Sequence, residues 1–577
     1  MTATSLTPPH QAKEHHGIRL PRGAVLAVAS IAQFMVVLDV TIINVALPQM
    51  RAALHMSSTG QQWVINAYTL TFAGFLMLGG RAADLFGRRR VFIGGLATFT
   101  LFSLLGGLAQ NGGELIAARA AQGIGAAILA PASLSLLTAT FTEHHDRRRA
   151  LGVWSATAAS GAAAGLFAGG VLTDLLGWRW VLFVNVPIGI ALVVGAVLSL
   201  SESTGHLANR RLDVAGAVTV TAGMALLVFG IVSTDSHPWG SARSLITLGA
   251  GVAILLLFVL IEARYAASPI VPLRTFRRRS LTLANLVSTA VGAVVFASYF
   301  FLSLYLQDVK HYSPLRAGLA FLPMGLMTFG GALAASRLVN RIGIRRQLVI
   351  APLVTAAAVL WLSELTTHSS YLGSLFVPLL LLGASIGVTF VPMTMAATMG
   401  VPPAEAGLAS GLLNTSRQLG GALGLAALAT VAAAATRHQL GEGGAQLAAL
   451  THGYTRAFLV IAVISGLGAL SAVFLGHSTR PESVDEPVAE SKGARDALNP
   501  RRRFRRGSCG VTSSASGFSS KTDSGSGAGS VSPAIARPPV GRADQRLAPG
   551  ASRANVTPTT GDDPNDRASE SRFRART

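Results

Sequence analysis

The sequence predicts an all-α, polytopic membrane protein with fourteen transmembrane helices. Hydrophobic residues make up 50% of the 577 residues and charged residues only 13%, whereas about a quarter of the residues in soluble domains are charged. Apolar runs of roughly 20 residues, the length of helix that crosses a bilayer, recur along the chain as far as residue 476. The lipid bilayer is therefore the expected surrounding of most of this chain.

The predicted spans form two groups of six with a pair between them. The first six lie near residues 23–48, 61–79, 91–109, 115–138, 150–172 and 179–200, and the pair lies near 213–233 and 244–264. The last six lie near 282–306, 315–336, 347–365, 371–398, 408–434 and 456–476. We expect a cytoplasmic segment 1–22, an N-terminal six-helix bundle 23–200, a central two-helix insertion 201–280 and a C-terminal six-helix bundle 281–477.

The loops between the spans predict the orientation of the chain. Alternate loops are rich in arginine, namely at Arg88–Arg90, Arg147–Arg149, Arg210, Arg211, Arg277–Arg279, Arg341, Arg345 and Arg346. Because basic loops stay in the cytoplasm, both termini are expected inside, in the inner membrane of a bacterial cell. The first span is longer than the core of a signal peptide, so we expect it to be retained.

The net charge of +21 does not indicate nucleic-acid binding, because the basic residues lie in these short loops and in a polar tail. From residue 478 to residue 577 the chain consists mainly of Ser, Gly, Pro, Arg and Asp without hydrophobic periodicity. Such a composition cannot bury a core, so we expect a disordered cytoplasmic tail. The only cysteine, Cys509, leaves no internal disulfide.

Three ionisable side chains inside the spans are candidates for function, since a charge within a bilayer is costly. Asp39 lies in the first span, where Asn44 is a second polar group, and Arg119 lies in the fourth span with Gln122 one turn later. Asp39 and Arg119 could form a fixed ion pair that only sets packing. Alternatively, the carboxylate could take up and release a proton as the conformation changes. Arg417 in the thirteenth span could simply bind carbonyl groups of a loop or a helix end, or it could have a functional role in the second half of the protein.

Residues 80–90 (GRAADLFGRRR) form the loop after the second span, and residues 336–346 (SRLVNRIGIRR) repeat the pattern after the tenth. This repeat indicates two related halves, an architecture in which transporters bind substrate at mid-membrane between the halves. In the first loop Gly87 allows a tight turn. The charges of Asp84 and the following arginines could simply set orientation, or they could pair with helix ends in only one conformation.

One face of the fifth span is formed by glycines. Gly161, Gly165 and Gly169 follow each other at intervals of four, so they share a helix face that a neighbouring helix can approach closely. The simplest interpretation is an ordinary tight helix pair. The functional interpretation is that this face forms part of the sliding contact between the two bundles.

Together these segments resemble the major facilitator superfamily, and within it the fourteen-span drug:proton antiporters, over roughly residues 22–477. The matching motifs are residues 38–48 (LDVTIINVALP) in the first helix, residues 80–90 in the loop, Arg119, Gln122, Gly123 and Gly125 in the fourth helix, and Gly152, Gly161, Gly165, Gly169 and Gly170 in the fifth. The resemblance implies proton-linked roles for Asp39 and Arg119. It also implies export rather than import, and a conformational gate at Gly80, Asp84, Gly87, Arg88 and Arg90.

Three positions depart from the family pattern. Leu166 replaces a proline, so the expected kink of the fifth helix is not specified, because leucine keeps its N–H. Ala82 replaces a leucine in the loop motif. Asn340 stands where the second loop would repeat Asp84, so we do not expect the two loops to gate symmetrically.

We therefore expect a multidrug or antibiotic efflux transporter that moves small amphipathic compounds, cationic or neutral, outward while protons move inward. Alternating access would expose a central site to one side at a time. We expect a monomer that uses the proton gradient, with no cofactor, metal or enzymatic activity. Candidate substrate-binding residues are Phe34, Asn44, Trp63, Asn66, Gln122, Phe296, Tyr299 and Phe300, although core packing would also explain the aromatic residues.

Three alternatives remain at this stage. A proton-linked importer or exporter of a native metabolite would share the fold. A membrane-embedded lipid-modifying enzyme would need a nucleophile or metal cluster, and the spans contain no paired carboxylates or clustered histidines. A regulatory scaffold would use the tail to bind a partner.

Overall fold

The computed structural model describes residues 22–200, 212–234, 240–266, 269–401 and 405–475. The predicted tail 478–577 and residues 1–21 of the predicted N-terminal segment lie outside these ranges.

Within the described ranges, fourteen helices are long and apolar enough to cross a membrane, and no residue is in a β-strand. They are α1 (Arg22–Ala53), α2 (Ser58–Phe86), α3 (Arg88–Leu108), α4 (Gly112–Thr140), α5 (His145–Leu175), α6 (Trp180–Ser199), α7 (Val214–Ser233), α8 (Ala242–Tyr265), α9 (Arg279–Val309), α10 (Pro314–Ile342), α11 (Ile344–Leu362), α12 (Tyr371–Thr398), α13 (Gly407–Gly441) and α14 (Gln446–Val473). The predicted all-α fold and the predicted number of spans are confirmed.

Several helices extend beyond the apolar runs that reveal them. The last one begins at Gln446 rather than near residue 456 and includes the polar residues His452 and Arg456. Hydropathy marks only the part of a helix inside hydrocarbon, whereas backbone hydrogen bonding continues through polar residues outside it. Side-chain caps define where other helices begin. At the beginning of α4, Oδ1 of Asn111 accepts a hydrogen bond from the backbone N–H of Glu114.

The helices pack as two bundles with a peripheral pair. Helices α1–α6 pack together, chiefly through α2 with α4 and α1 with α5, and α9–α14 pack through α10 with α12 and α9 with α13. The bundles meet where α5 contacts α10 and where α2 contacts α13. Helix α7 packs against both α2 and α13, with the Thr221 side chain against Gly74, and α8 packs on α7. The central pair therefore covers one of the two seams between the bundles.

The apolar core shows which end of the molecule is closed. We call the side on which α1 begins the near side and the side on which it ends the far side. One core cluster on the far side joins both bundles, with Ile42 and Leu47 of α1 beside Phe301 of α9 and Phe321 of α10. On the near side each bundle has a separate cluster. The space between the bundles therefore opens toward the near side.

The two repeated loops have the same backbone turn. Gly87 joins α2 to α3 with φ of 99°, and Gly343 joins α10 to α11 with φ of 83°. Positive φ at both positions favours glycine. The sequence repeat is therefore also a repeat of the local backbone conformation.

Candidate functional site

A buried polar cluster lies at mid-height in the N-terminal bundle. Arg119 of α4 donates from Nη1 to Oδ2 of Asp39 of α1 at 2.6 Å, and the same nitrogen lies 2.6 Å from Oε1 of Gln122. Gln122 in turn donates from Nε2 to Oδ1 of Asp39 at 2.9 Å. Asp39 and Gln122 have no exposed surface, and Arg119 is 1% exposed. The structure thus brings together three of the residues that the sequence singled out.

Two further residues of this cluster were missed in the sequence. Asn185 of α6 donates from Nδ2 to Oδ1 of Asp39 at 2.9 Å and lies 3.1 Å from Oγ of Ser103 of α3. Asn185 lies two residues before Pro187, which has no N–H to continue the helix ladder. A polar residue just before proline in an apolar span was the available signal.

The surroundings of Arg119 supply its remaining contacts. Its Nε donates to the backbone carbonyl of Val64 at 3.3 Å, and its guanidinium lies 4.3 Å from the centre of the Tyr68 ring. A buried ion pair is stable only when its remaining donors and acceptors are satisfied. Both oxygens of Asp39 accept hydrogen bonds here, so the ionised pair is well accommodated. The geometry fits both a fixed pair and a proton-exchanging pair.

The glycines of α5 pack against α1 of the same bundle. A Cβ atom at Gly165 would overlap the Thr41 hydroxyl and lie 2.8 Å from the Leu38 carbonyl oxygen, and one at Gly161 would lie 2.9 Å from the Phe34 carbonyl oxygen. Gly169 likewise faces Ile42. The expectation that this face slides against the other bundle is wrong for this conformation, because a glycine face can pack against only one helix and here that helix is α1.

The contact between the bundles uses the adjacent face of α5. A Cβ at Gly170 would lie 2.6 Å from the Pro314 carbonyl oxygen and 3.0 Å from the Cα of Gly318 in α10. Further along, Gly325 of α10 approaches Ala163 of α5. Gly152, at the near-side end, is exposed, and a Cβ there would meet no described atom within 4 Å. Of the five motif glycines, Gly170 alone reaches the other bundle.

The segment predicted as a gating loop is mostly helical, because residues 80–86 end α2, Gly87 makes the turn and Arg88 begins α3. It contains a weak local ion pair. Arg88 Nη2 lies 3.4 Å from Oδ1 of Asp84, and both side chains are partly exposed. Arg89 donates to the carbonyl of Val197 in α6 at 2.9 Å, and a Cβ at Gly80 would make only ordinary contact with Pro131. Arg90 is exposed at the start of α3. The gating role of these residues stays a prediction.

The predicted substrate-binding residues do not form one cavity in this conformation. Trp63 packs against Phe229 of α7, with ring centres 6.3 Å apart, and so contacts the peripheral helix pair. Its role in substrate binding stays a prediction. Tyr299 and Phe300 are buried in the far-side core that joins the bundles. The Phe296 ring contacts Gly421 of α13.

The polar members of that predicted set also differ in their surroundings. Asn44 bonds carbonyl groups of its own helix, and its backbone carbonyl accepts a 2.8 Å hydrogen bond from Ser303 of α9. Asn66 is fully buried, and neither of its side-chain polar atoms has a partner among the described residues. Phe34 is partly buried against Gly161. Asn44 therefore lies at the far-side closure rather than in an open site.

Arg417 of α13 lies at mid-height in the C-terminal bundle. Its Nη2 donates to Oδ1 of Asn414 at 2.8 Å, and its guanidinium lies 5.2 Å from the centre of the Phe390 ring. Its backbone carbonyl packs directly against Gly292 of α9. Arg417 therefore does not take part in the Asp39–Arg119 cluster.

Two helical bundles with an acid–base cluster buried at mid-height and a cleft open to one side define a membrane transporter. The family described as Major Facilitator Superfamily matches residues 29–425. The chain belongs to that superfamily. It is therefore a multi-pass membrane transporter and not an enzyme.

Comparison with individual proteins supports this assignment. The cephamycin export protein CmcT of Amycolatopsis lactamdurans is 43% identical over 470 residues, covering 80% of this chain and 95% of that protein. The puromycin resistance protein pur8 of Streptomyces alboniger is 41% identical over 476 residues, covering 81% of this chain and 93% of that protein.

Solved structures share the fold at low sequence identity. A bacterial homolog to the human lysosomal transporter Spinster, inward-facing and unoccupied, has a TM-score of 0.57 at 16% identity, covering 78% of this chain and 96% of that one. A D-xylose-proton symporter has a TM-score of 0.57 at 14% identity, covering 79% and 98%.

Proposed function

We propose that this chain is an efflux transporter of a bacterial inner membrane that exports antibiotics or similar amphipathic compounds in exchange for protons. Two relatives above 40% identity, named for cephamycin export and puromycin resistance, support the direction and the cargo. The single observation that carries the proton coupling is the fully buried Asp39–Arg119 pair. No cofactor is needed, because the proton gradient supplies the driving force.

The proposed proton step acts on Asp39. Protonation would neutralise the carboxylate and remove its attraction to Arg119, and it would weaken the hydrogen bonds that Gln122 and Asn185 donate to it. The link between α1, α4 and α6 at this height would loosen. Release of the proton would restore the charged pair and with it the conformation described here.

Helix α1 carries this change to the far-side closure. Asn44 lies little more than one turn after Asp39, and its carbonyl accepts from Ser303 of α9, while the carbonyl of Val45 accepts from Gln307 at 3.0 Å. These hydrogen bonds join the two bundles on the far side. Because interfaces of this kind switch between discrete packings, a small rotation of α1 would open the far side and close the near side.

The arginine-rich loops support a topology in which the near side faces the cytoplasm. The conformation described here would then be the one that admits cargo from the cytoplasm. Both termini would be cytoplasmic, since an even number of spans separates them. A single chain contains the acid–base cluster and the cleft, so we propose a functional monomer.

Transport in inside-out membrane vesicles tests this function. Acidification of the vesicle interior should drive accumulation of exported antibiotics, and collapse of the pH gradient with an uncoupler should abolish it. A panel that includes a cephamycin and puromycin would identify the cargo. Gradient-driven movement only in the opposite direction would instead establish a proton-linked importer.

A further inference from the structure

We propose that Arg417, with Asn414 and Phe390, forms a binding site for the carboxylate group of an acidic amphipathic substrate. This inference rests on the proposed export function and names its substrate class. It differs from the expectation drawn from the sequence, which favoured cationic or neutral cargo. The charge around the cleft is the reason for the change.

Within the described residues, Arg417 is a cation without an anionic partner. None of the ion pairs between described side chains includes it. Its guanidinium donates to a neutral amide oxygen, that of Asn414, and its buried Nε has no hydrogen-bond partner within the described part of the chain. A partly buried charge with unused donors within the span of a membrane helix is costly unless a partner arrives. Arg119, by contrast, has Asp39 within 2.6 Å.

The helices of the C-terminal bundle offer no internal carboxylate at this height. Asp308 is the only acidic residue within α9–α14, and it lies about 24 Å along α9 from Gly292, the residue that packs against Arg417. Glu405 lies just before α13, about 18 Å along the helix axis from Arg417, and pairs with Arg278 at 3.3 Å. Since Asp39 and Arg119 compensate each other, Arg417 gives the mid-height region a net positive charge.

Arg417 borders the space between the bundles. Thr415 lies against Ala73 of α2 in the other bundle, and the Arg417 side chain lies over Phe390 of α12 in its own bundle. Around the axis of α13, the Asn414 side chain lies between that of Thr415, which faces α2, and that of Arg417, which faces α12. The Asn414 side chain is exposed. An exposed side chain between an inter-bundle contact and an intra-bundle contact faces the cleft. The donors of Arg417 are thus next to the route that cargo would take.

The chemistry of the three side chains fits a carboxylate attached to an apolar body. A guanidinium presents parallel N–H groups that match both oxygens of a carboxylate, the Asn414 amide can add a further donor, and the Phe390 ring supplies apolar surface beside the charge. The packing of Gly292 and Gly420 against the facing helices holds this part of α13 in place. A rigid helix position limits the entropy lost on binding.

Equilibrium binding to purified protein in nanodiscs, without any gradient, tests the proposal. The probes are three fluorescent compounds on one scaffold: 1-pyrenebutyrate, 1-pyrenebutanol and a pyrenebutyl trimethylammonium salt. The wild-type protein should bind the carboxylate about tenfold more tightly than the alcohol, and the cation least tightly. Arg417→Gln should remove most of the carboxylate preference, and Arg417→Lys should retain part of it because it keeps the charge.

Arg456→Gln is the matched control, because Arg456 is an exposed arginine of α14 that contacts His452; it should bind all three probes like the wild type. A wild-type unfolding temperature and a monodisperse size-exclusion profile show that Arg417→Gln is folded. A wild-type protein without carboxylate preference, or an Arg417→Gln variant that keeps it, overturns the proposal. If the preference holds but no gradient-driven export occurs, the proposed function fails and the carboxylate site stands.

Discussion

Asn185 of α6 donates a 2.9 Å hydrogen bond to Oδ1 of Asp39, the carboxylate that also binds Arg119. Helices α1, α4 and α6 therefore meet at one buried anion, and Ser103 connects α3 to the same point. A single carboxylate is therefore the common hydrogen-bond acceptor for side chains of α4 and α6. Changes to this cluster, and to the contacts that join it to the rest of the protein, should therefore alter transport.

Replacement of Asn185 by leucine should weaken transport strongly. The change removes one hydrogen bond to a buried carboxylate, an interaction typically worth about 1.5–3 kcal/mol, so we expect a fall in transport rate of about tenfold or more and a lower melting temperature. Transport in vesicles and thermal unfolding of the purified protein measure these effects. The equivalent change at exposed Asn340 should alter neither quantity, and equal sensitivity of both variants would argue against a special role for Asn185.

A large side chain on the glycine face of α5, where it contacts α1, should impair transport. Gly165→Leu would place side-chain atoms onto the Thr41 hydroxyl and the Leu38 carbonyl, and should impair transport more than Leu166→Pro. Gly152→Leu is the control, since that position is open and exposed. Initial export rates at equal expression give the ranking. A more harmful effect of Leu166→Pro would mean that the backbone N–H of residue 166 matters more than the close contact with α1.

Bulk at Gly170 should separate the bundles on the far side. The Gly170 backbone approaches Pro314 and Gly318 of α10 so closely that leucine at Gly170 cannot fit in the closed far side. Spin labels at Gln110→Cys and His368→Cys, in a Cys509→Ser background, should report a longer far-side distance in Gly170→Leu than in the parent. An unchanged distance distribution would show that this contact does not determine far-side closure.

Deletion of residues 481–577 should leave transport intact. The helices, the Asp39 cluster and both contacts between the bundles lie before this segment, which is itself outside the described residues. Export rates of the truncated and full-length proteins, normalised to the amount in the membrane, make the comparison. A large loss of transport by correctly inserted truncated protein would support the alternative in which the tail binds a regulatory partner.

The sequence predicted the helices far better than the contacts between them. Fourteen apolar runs suffice to count the spans, because lipid demands a continuous apolar helix at each crossing. The meeting of Asp39 and Arg119 was predictable, since two opposite charges in one bundle have few other partners. By contrast, nothing in the spacing of Gly161, Gly165 and Gly169 states which helix they face, and the structure assigns them to α1.

Other site residues depended on tertiary packing in the same way. Asn185 is one polar residue near the far-side end of its span, where polarity has an ordinary explanation. Its contact with Asp39 depends on how α6 packs beside α1. Trp63 could equally face a cavity or a neighbouring helix, and the central pair provides the neighbour through Phe229. The conformation of the transporter also decides exposure: Tyr299 and Phe300 are buried because the far side is closed.

The central claim is that protonation of Asp39 drives export, and Asp39→Asn tests it most directly. Asparagine keeps the size and much of the hydrogen bonding of the aspartate but cannot exchange a proton. Because it leaves the buried Arg119 without its counter-ion, transport is normalised to the amount of folded protein in the membrane. In proteoliposomes with an imposed pH gradient, we predict that gradient-driven transport falls at least about a hundredfold, as for loss of an essential proton-transfer group, while binding of substrate persists. Transport by Asp39→Asn that still responds to the pH gradient at the wild-type rate would contradict the account.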